Sequence, residues 1–485
     1  MRGVKAAVLC APLILAACAV DLPEGITDPE AGFEMVATRT QAVTGNRSVW
    51  LQNSAQTQEI ADEVHALTHQ QTISADTAVQ VALLNNRGLQ ASYAAIGLSA
   101  AEVWQQATPE NPVVSVGILG IGAPELGLFR ALESAIAVNL LDARNRERRV
   151  ALAQADFQRA QSQAVADTLS LAVATRTAWI DAVAAFETVA LLNRAARAAD
   201  ASSELAFQLG ETGALNRAGQ AREQVFDAEL AAQAAIARLA AAGAKEELTR
   251  LMGLWGSEVT YFVPDALPSL PRSLRSTDGI ETLALSNRVD LEVARLSLAA
   301  TAESFGLTDA TRTMTDLGII AGGELERENE GGEIEEEFTP QIEIEFAIPI
   351  YDSGEARMRR AELSYLQAAN LLAQAAVDVR SEARVAETRY RGTHAIARLY
   401  RDTILPLRQT LDDEALLANN GMITSTFELL NDVREGIGSQ IDAAEAKHEF
   451  WLAAAGLDAA IYGGAGGSAG GGGEAVDLGG GGGGH

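Results

Sequence analysis

Along most of the chain the apolar positions recur three and four residues apart, and alanine or leucine usually fills them. That spacing predicts helices. From about residue 145 to 209 neither proline nor glycine interrupts it, and at 1.5 Å per residue such a helix runs for roughly 95–100 Å. Gly210 and Gly213 end this run, and a second helical run covers about 215–251. A comparable pair follows later. It has an outgoing helix from about 355, a break at Asn419-Asn420-Gly421 and a return helix to about 461. Pro406 stands near the far end of the outgoing helix, where its missing N–H and its ring predict a kink.

The pattern changes to a period of two at Gln341-Ile342-Glu343-Ile344-Glu345-Phe346. Ile342, Ile344 and Phe346 fall on one face and Gln341, Glu343 and Glu345 on the other, so this is a strand with one apolar and one polar side. Such a strand fits a half-buried soluble sheet. It fits equally the wall of a membrane barrel with a wet lumen. Upstream, VVSVGILGIG after Pro109 and Pro112 reads as another strand, and a second run ends in AIAVNLLDARNRERR.

These elements occur twice. TAVQVALLNNRGLQAS near residue 80 and DGIETLALSNRVDLEVA near residue 282 align without gaps, pairing Ala82-Leu83 with Ala284-Leu285, Asn85 with Asn287 and Leu89 with Leu291. Each copy is a short helix, a polar break, a second amphipathic helix, a strand hairpin and a long helix pair. Asp142 and Asp352 stand at the hairpin-to-helix junctions, where Asp is a favoured N-cap. The plan divides the chain into 76–254 and 278–462, joined by a linker at 255–277 that Pro264, Pro268 and Pro271 hold extended. From 463 the sequence is Gly-rich and lacks the apolar surface to order itself. Two hairpins supply four strands, too few to close a barrel, since the smallest need about eight. Several copies must therefore pool their strands, and the count alone does not choose three over two or four.

Composition narrows the function. Hydrophobic residues make up 48% of the 485 but aromatics only 5%, which suits closely spaced helices more than a bulky core. The formal net charge of −28 excludes a phosphate-binding footprint, so no nucleic-acid partner is expected. Eight glutamates lie within 324–337. This segment reads as the solvated turn of the second hairpin, or as a cation-attracting rim there.

The N-terminus carries Arg2 and Lys5, then a short apolar run at 6–17 ending in Leu15-Ala16-Ala17-Cys18. The run is too short to span a bilayer and reads as a signal peptide over 1–17. Its last four residues resemble a lipobox, which implies cleavage before Cys18, acylation of its thiol and a lipidated segment over 18–75. Ala19 follows Cys18 with no aspartate, which by lipoprotein sorting rules points to the outer membrane. Cys10 lies within the signal, so Cys18 is the one cysteine left and no disulfide or thiolate metal site can form. No other segment approaches about 18 continuous apolar residues, so no membrane-spanning helix is expected and strands must carry any crossing.

No catalytic constellation is present. The five histidines include His65 and His69 at i, i+4, but without an HExxH arrangement. There is no Gly-x-Ser-x-Gly elbow and no phosphate or dinucleotide loop. No enzyme activity, metal or cofactor is expected.

Over about 76–462 these motifs resemble the TolC-like outer-membrane efflux family. The resemblance rests on the paired motifs at Ala82 and Ala284, the strand-to-helix junction IPIYDSGEARMR, and the tips LGETGALNRAGQAREQ and NNGMITSTFELLNDVRE. It implies a mainly α chain that trimerises into a twelve-stranded membrane β-barrel over an α-helical barrel. It further implies a passive outer-membrane duct that works with a periplasmic adaptor and an inner-membrane pump. Carried onto this sequence, adaptor contact falls on Leu209, Gly210, Thr212 and Gly213, and on Asn420, Gly421 and Met422. These residues also suffice as plain turn formers. The family's acidic constriction maps to Glu428 and Asp432, one turn apart on one helix face. Their spacing from Gly421 departs from the family pattern, and a solvated face accounts for them equally. A periplasmic coiled-coil adaptor, or a structural lipoprotein without channel activity, is the rival reading; the two hairpins fit it poorly.

Overall fold

The computed structural model describes residues 22–464 apart from 123–125, 127, 128, 214, 315, 331, 332 and 421–425. Cys18 and its signal peptide, Gly421, Met422 and all of the Gly-rich tail beyond 464 lie outside the described residues. For Asn420 and Glu428 the backbone alone is described.

Two helices precede the repeats, α1 (Phe33–Thr44) and α2 (Ser54–Thr68). The polar composition of this stretch gave no sign of them. The first repeat then runs α3 (Ala75–Asn85), α4 (Arg87–Ala107), β1 (Val113–Leu119), β2 (Ala131–Asn139), α5 (Leu140–Glu211) and α6 (Arg217–Met252). After a short 3₁₀ turn at Gly256–Val259 the second repeat runs α7 (Ile280–Asn287), α8 (Val289–Ala310), β3 (Leu317–Glu330), β4 (Glu333–Phe346) and α9 (Glu355–Leu399). A π turn at Tyr400–Ile404, α10 (Leu405–Asn420) and α11 (Thr426–Tyr462) complete it. The duplicated order read from the sequence is the order observed.

Local chemistry sets the boundaries. Ser74 caps α3 by accepting from Thr77 N at 3.1 Å, and Asn86 Oδ1 accepts from Leu89 N at 3.0 Å to restart the chain as α4. Neither Asp142 nor Asp352 is the cap expected. Asn139 Oδ1 accepts from Asp142 N at 3.1 Å, so α5 starts earlier and Asp142 lies in its first turn, paired with Arg149. Asp352 accepts instead from Gly354 N at 2.8 Å, ahead of α9. Pro406 does not break its helix with a simple kink. The π turn widens the preceding loop of backbone, with Leu405 N bonded to Tyr400 O, and the helix resumes around the proline.

The chain forms two compact units, whose divisions fall inside helices. The first takes Met1–Met35, Tyr93–Gln163 and Leu291–Ala376. It holds the four-stranded antiparallel sheet in the order β1-β2-β3-β4. A small core of Ile26, Ala31, Ala100, Val103 and Ala153 packs within it, and Phe33 meets Tyr93 edge-on at 4.8 Å.

The second takes Val36–Ser92, Ala164–Asp290 and Val377–His485. Its main core joins Val64, Ile73, Leu84, Trp179, Val183, Met252 and Tyr261, all buried. Trp179 Nε1 donates to Ile73 O at 3.0 Å, which satisfies its polar end inside that core. A second cluster gathers Tyr390, Phe450, Leu457 and Ile461 around α7. Asn85 Nδ2 donates to Gly253 O at 2.8 Å, and Gly253, at φ +68°, ends α6 against Asn85. A Cβ at 253 would lie 3.0 Å from Asn85 O, so glycine is required by both its conformation and its space.

Contrary to the expectation from apolar runs, part of α5 is long and apolar enough to cross a membrane by composition alone. Of that stretch 44% is buried, and α5 contributes Ala178, Trp179, Ile180, Ala182 and Val183 to the main core.

Candidate functional site

The sheet is the first candidate, because its register sorts side chains by chemistry. Ile344 pairs with Ile319, Ile342 with Ala321 and Phe338 with Leu325. Ile319 in turn pairs with Val138, and Ala321 with Ile136. Ile136 pairs with Val114, and Leu132 with Ile118. Since paired residues share a face, one side of all four strands is apolar, and it is exposed: Ile342 is 79% accessible and Phe338 62%. The opposite side carries Glu343 and Glu345 on β4, Glu324 and Glu326 on β3 and Glu133 on β2. From Phe338 to Phe346 the apolar face runs about 27 Å along the strand. A strand tilt of ~40° reduces this to ~20 Å, close to the height of a membrane barrel's outer band.

The acidic segment 324–337 is not the loop the sequence led us to expect. The ladder continues through Glu326↔Glu337, Glu328↔Glu335 and Glu330↔Glu333, so the segment is a paired ribbon. It overshoots the first hairpin, whose outermost strand pair is Leu119↔Ala131. Like charges placed opposite one another disfavour a sheet, but Glu326, Glu328, Glu333, Glu335 and Glu337 are exposed, and water screens them. Arg327 offsets them by bonding Glu336 through Nε at 3.0 Å and Nη2 at 2.8 Å.

At the helix tips the first turn is built from the residues singled out for adaptor contact. Leu215 N donates to Leu209 O at 3.1 Å, Gly213 N to Gly210 O at 3.1 Å, and Thr212 Oγ1 to Leu209 O at 3.0 Å. Gly213 takes φ +75°, which glycine adopts without strain. Asn216 then caps α6 by accepting from Gly219 N at 2.8 Å. Thr212 and Gly213 are exposed; Leu209 and Gly210 are half-buried. The second tip retains Asn420 at the end of α10, while Gly421 and Met422 fall outside the description.

Asp432 sits half-buried on α11. It belongs to a charged network that the sequence did not single out. Arg434 Nη2 donates to Glu223 of α6 at 2.9 Å, with the Glu223 side chain 3% exposed, and its guanidinium lies 4.2 Å over the Phe226 ring. Arg408 of α10 donates to Glu435 at 2.9 Å and to Ser439 at 3.1 Å. Asp412, also on α10, has a buried Oδ1 without a hydrogen-bond partner. Burial pushes its carboxyl up; Arg408 opposes the shift, and Asp413 and Asp432 add to it. The sequence signal for this cluster was weak, because Arg434 and Glu223 are more than two hundred residues apart.

His65 and His69 stack with ring centroids 4.5 Å apart. Among the described residues no group of three or more His, Cys, Asp or Glu is placed to hold a metal.

No protein-family model matches the chain, and no curated protein matches it by sequence. Its fold does match solved structures. The outer-membrane channel OprN superposes with a TM-score of 0.64 at 18% identity, over 87% of this chain and 95% of that one. CusC, studied for transmembrane channel formation, gives 0.66 at 16% identity over 81% and 93%. The open state of the MtrE outer-membrane channel of Neisseria gonorrhoeae gives 0.61 at 16% identity over 80% and 88%. The chain shares its fold with these outer-membrane channels.

Proposed function

We propose that the chain is the outer-membrane exit duct of a tripartite efflux or secretion system and acts as a homotrimer. The observation that carries this reading is a single sheet with an apolar exposed face, an acidic opposite face, and β1 and β4 as its two edges. In lipid every backbone N–H and C=O must be paired, so open edges are not tolerated. Three copies supply twelve strands and close the wall, with the glutamates facing water inside. The helices support the same closure. Val225, Ile236 and Leu239 on α6 leave an exposed apolar stripe, and so do Val385 and Ile396 on α9. Such stripes suit the flanks of neighbouring copies.

In this reading the helical ends lie in the periplasm and the tips at Leu209, Gly210, Thr212 and Gly213 and at Asn420, Gly421 and Met422 meet a periplasmic adaptor that links to an inner-membrane pump. Asp432 and Glu428 are the candidates for lining the constriction at the periplasmic end, with Arg434 and Glu223 holding the two helix pairs together. Acylated Cys18 adds an anchor in outer-membrane lipid. The duct does no chemistry of its own, and the pump selects the cargo.

Purified full-length protein is the test. The reading expects a detergent-solubilised mass of three copies and discrete, cation-preferring conductance in planar bilayers. A soluble monomer, or a trimer with no conductance, would overturn it. Replacing Cys18→Ser is expected to remove the acyl mass without altering conductance.

A further inference from the structure

Within the second unit the end of α11 stands at a cavity of about 250 Å³. Val43 of α1, Val79 of α3 and Leu169 of α5 form its apolar wall, and Arg176 of α5 and Arg275 of the linker line it too. Val79 and Leu169 are buried, whereas Val43 is 37% exposed, so the apolar wall reaches the surface. Arg176 Nη2 donates to Asp76 at 2.6 Å, and Arg275 Nη1 lies 2.8 Å from Asp458. Each contact occupies one nitrogen of a partly exposed guanidinium, which has further N–H donors for a second carboxylate. Gly463 lines the same cavity. It and Gly464 take φ +94° and +90°, which turns the chain off α11 and lays it against α5. A Cβ at 464 would fall 2.8 Å from Leu169 O, so the close approach requires glycine.

Gly464, the last residue described, thus delivers the tail to the rim of this cavity. Beyond it the sequence is glycine, alanine and serine with one exception before His485. Glu474, Val476, Asp477 and Leu478 bring both acidic residues and both branched apolar residues of 465–485 into five positions. We propose that 474–478 docks into the cavity at the end of α11. Val476 and Leu478 meet the apolar wall, and Glu474 and Asp477 meet Arg176 and Arg275 through charge-assisted hydrogen bonds. The cavity is smaller than the roughly 300–1,000 Å³ of pockets that take drug-sized ligands, which suits a few side chains. The nine residues at 465–473 form a flexible tether with a reach of roughly 15–18 Å, ample for return to a site at its own origin. Such a short tether gives an effective concentration on the order of millimolar, so a contact too weak to join separate molecules is populated within one chain. This inference is independent of the membrane placement proposed above.

Digestion of the full-length protein in detergent with a glutamyl endopeptidase tests the docking. The rate of cleavage after Glu474 is followed by mass spectrometry and divided by the rate for a free peptide of the same sequence. Wild type should be cleaved about tenfold more slowly than its peptide, the order of protection a weak contact gains from tethering. The double substitution Arg176→Gln with Arg275→Gln should abolish that protection, and so should Val476→Ser with Leu478→Ser. The second pair lies outside the packed helices, so it decides alone if the arginine variant does not fold. Alkylation of a Val43→Cys variant, read on the peptide that carries residue 43, probes the cavity from its other side. Deleting 465–485 should speed this reaction, and a free 472–480 peptide should slow it again only at about millimolar concentration. Cleavage of wild type as fast as its peptide, or protection that survives either pair of substitutions, would overturn the docking. Alkylation at an equal rate with and without the tail would overturn it as well, and would leave the cavity to a ligand from outside the chain.

Discussion

In the first repeat the outgoing helix α5 runs for 72 residues without a break and places Trp179, Ile180 and Val183 in the main core of the second unit. In the second repeat the outgoing helix stops at Leu399, passes through a π turn and resumes beside a proline. Below that turn lie a carboxylate with a buried, unbonded oxygen and a set of arginine bridges. One duplicated plan has therefore yielded a strut and a joint. The strut sets Trp179 in the main core with its indole N–H bonded to Ile73 O. The joint keeps a backbone irregularity and a buried charge, both of which cost stability, and such costs collect where a structure has to move.

The largest effect expected is on the strut. Trp179→Ala should cost about 3–5 kcal/mol, read as a lower denaturation midpoint of the full-length protein in detergent. A cost below ~1 kcal/mol would mean that α5 is no more firmly packed than its counterpart. Next comes the bridge between the helix pairs. Arg434→Ala removes the guanidinium from the buried Glu223 carboxylate and should cost about 2 kcal/mol. In bilayers it should also raise the time spent open; a stability loss with unchanged gating would make the bridge structural only.

Asp412 supplies a pH test. Burial raises its carboxyl above its ordinary value, so the folded state takes up a proton more readily than the unfolded chain. The stabilisation is fully present below the unfolded carboxylate's range and is lost as pH rises through the higher folded value. Wild type should therefore gain stability on acidification through that window. Asp412→Asn should flatten the dependence, and a variant with the same pH profile as wild type would remove Asp412 from the joint. The smallest effect concerns Pro406. A proline inside a regular helix costs about 3 kcal/mol, but here the π turn already accommodates it, so Pro406→Ala should shift stability by under ~1 kcal/mol. A larger gain would show that the proline itself strains the joint.

The sequence carried much of this. The helix pairs, the duplicated Asn85 and Asn287 motifs and the alternation at Gln341–Phe346 are local patterns, and local patterns are legible without the fold. The tip residues Gly210 and Gly213 were legible for the same reason, since helix ends need special backbone. What escaped depended on distant partners. The acidic segment reads as a loop because its glutamates break the apolar alternation, yet pairing across the hairpin supplies the ladder. Glu223 and Arg434 look like surface charges until α6 and α11 are brought side by side. Asn139 outcompetes Asp142 as a cap because the strand delivers it one residue ahead of the first turn of α5. The helices α1 and α2 were hidden by polar composition, their few apolar anchors, such as Val36 and Val64, being buried.

The π turn at Tyr400–Ile404 has a further consequence for anyone reading α9 and α10 as one rod. It accommodates one additional residue within the coil, and each residue of an α-helix advances the azimuth by about 100°. The helical wheel drawn above the turn is therefore out of phase with the wheel below it by that angle. A residue-by-residue substitution scan should show a periodic response along α9 that slips by a single position on entering α10. The lower segment can thus present its own set of side chains to its neighbours while the upper segment keeps its packing unchanged.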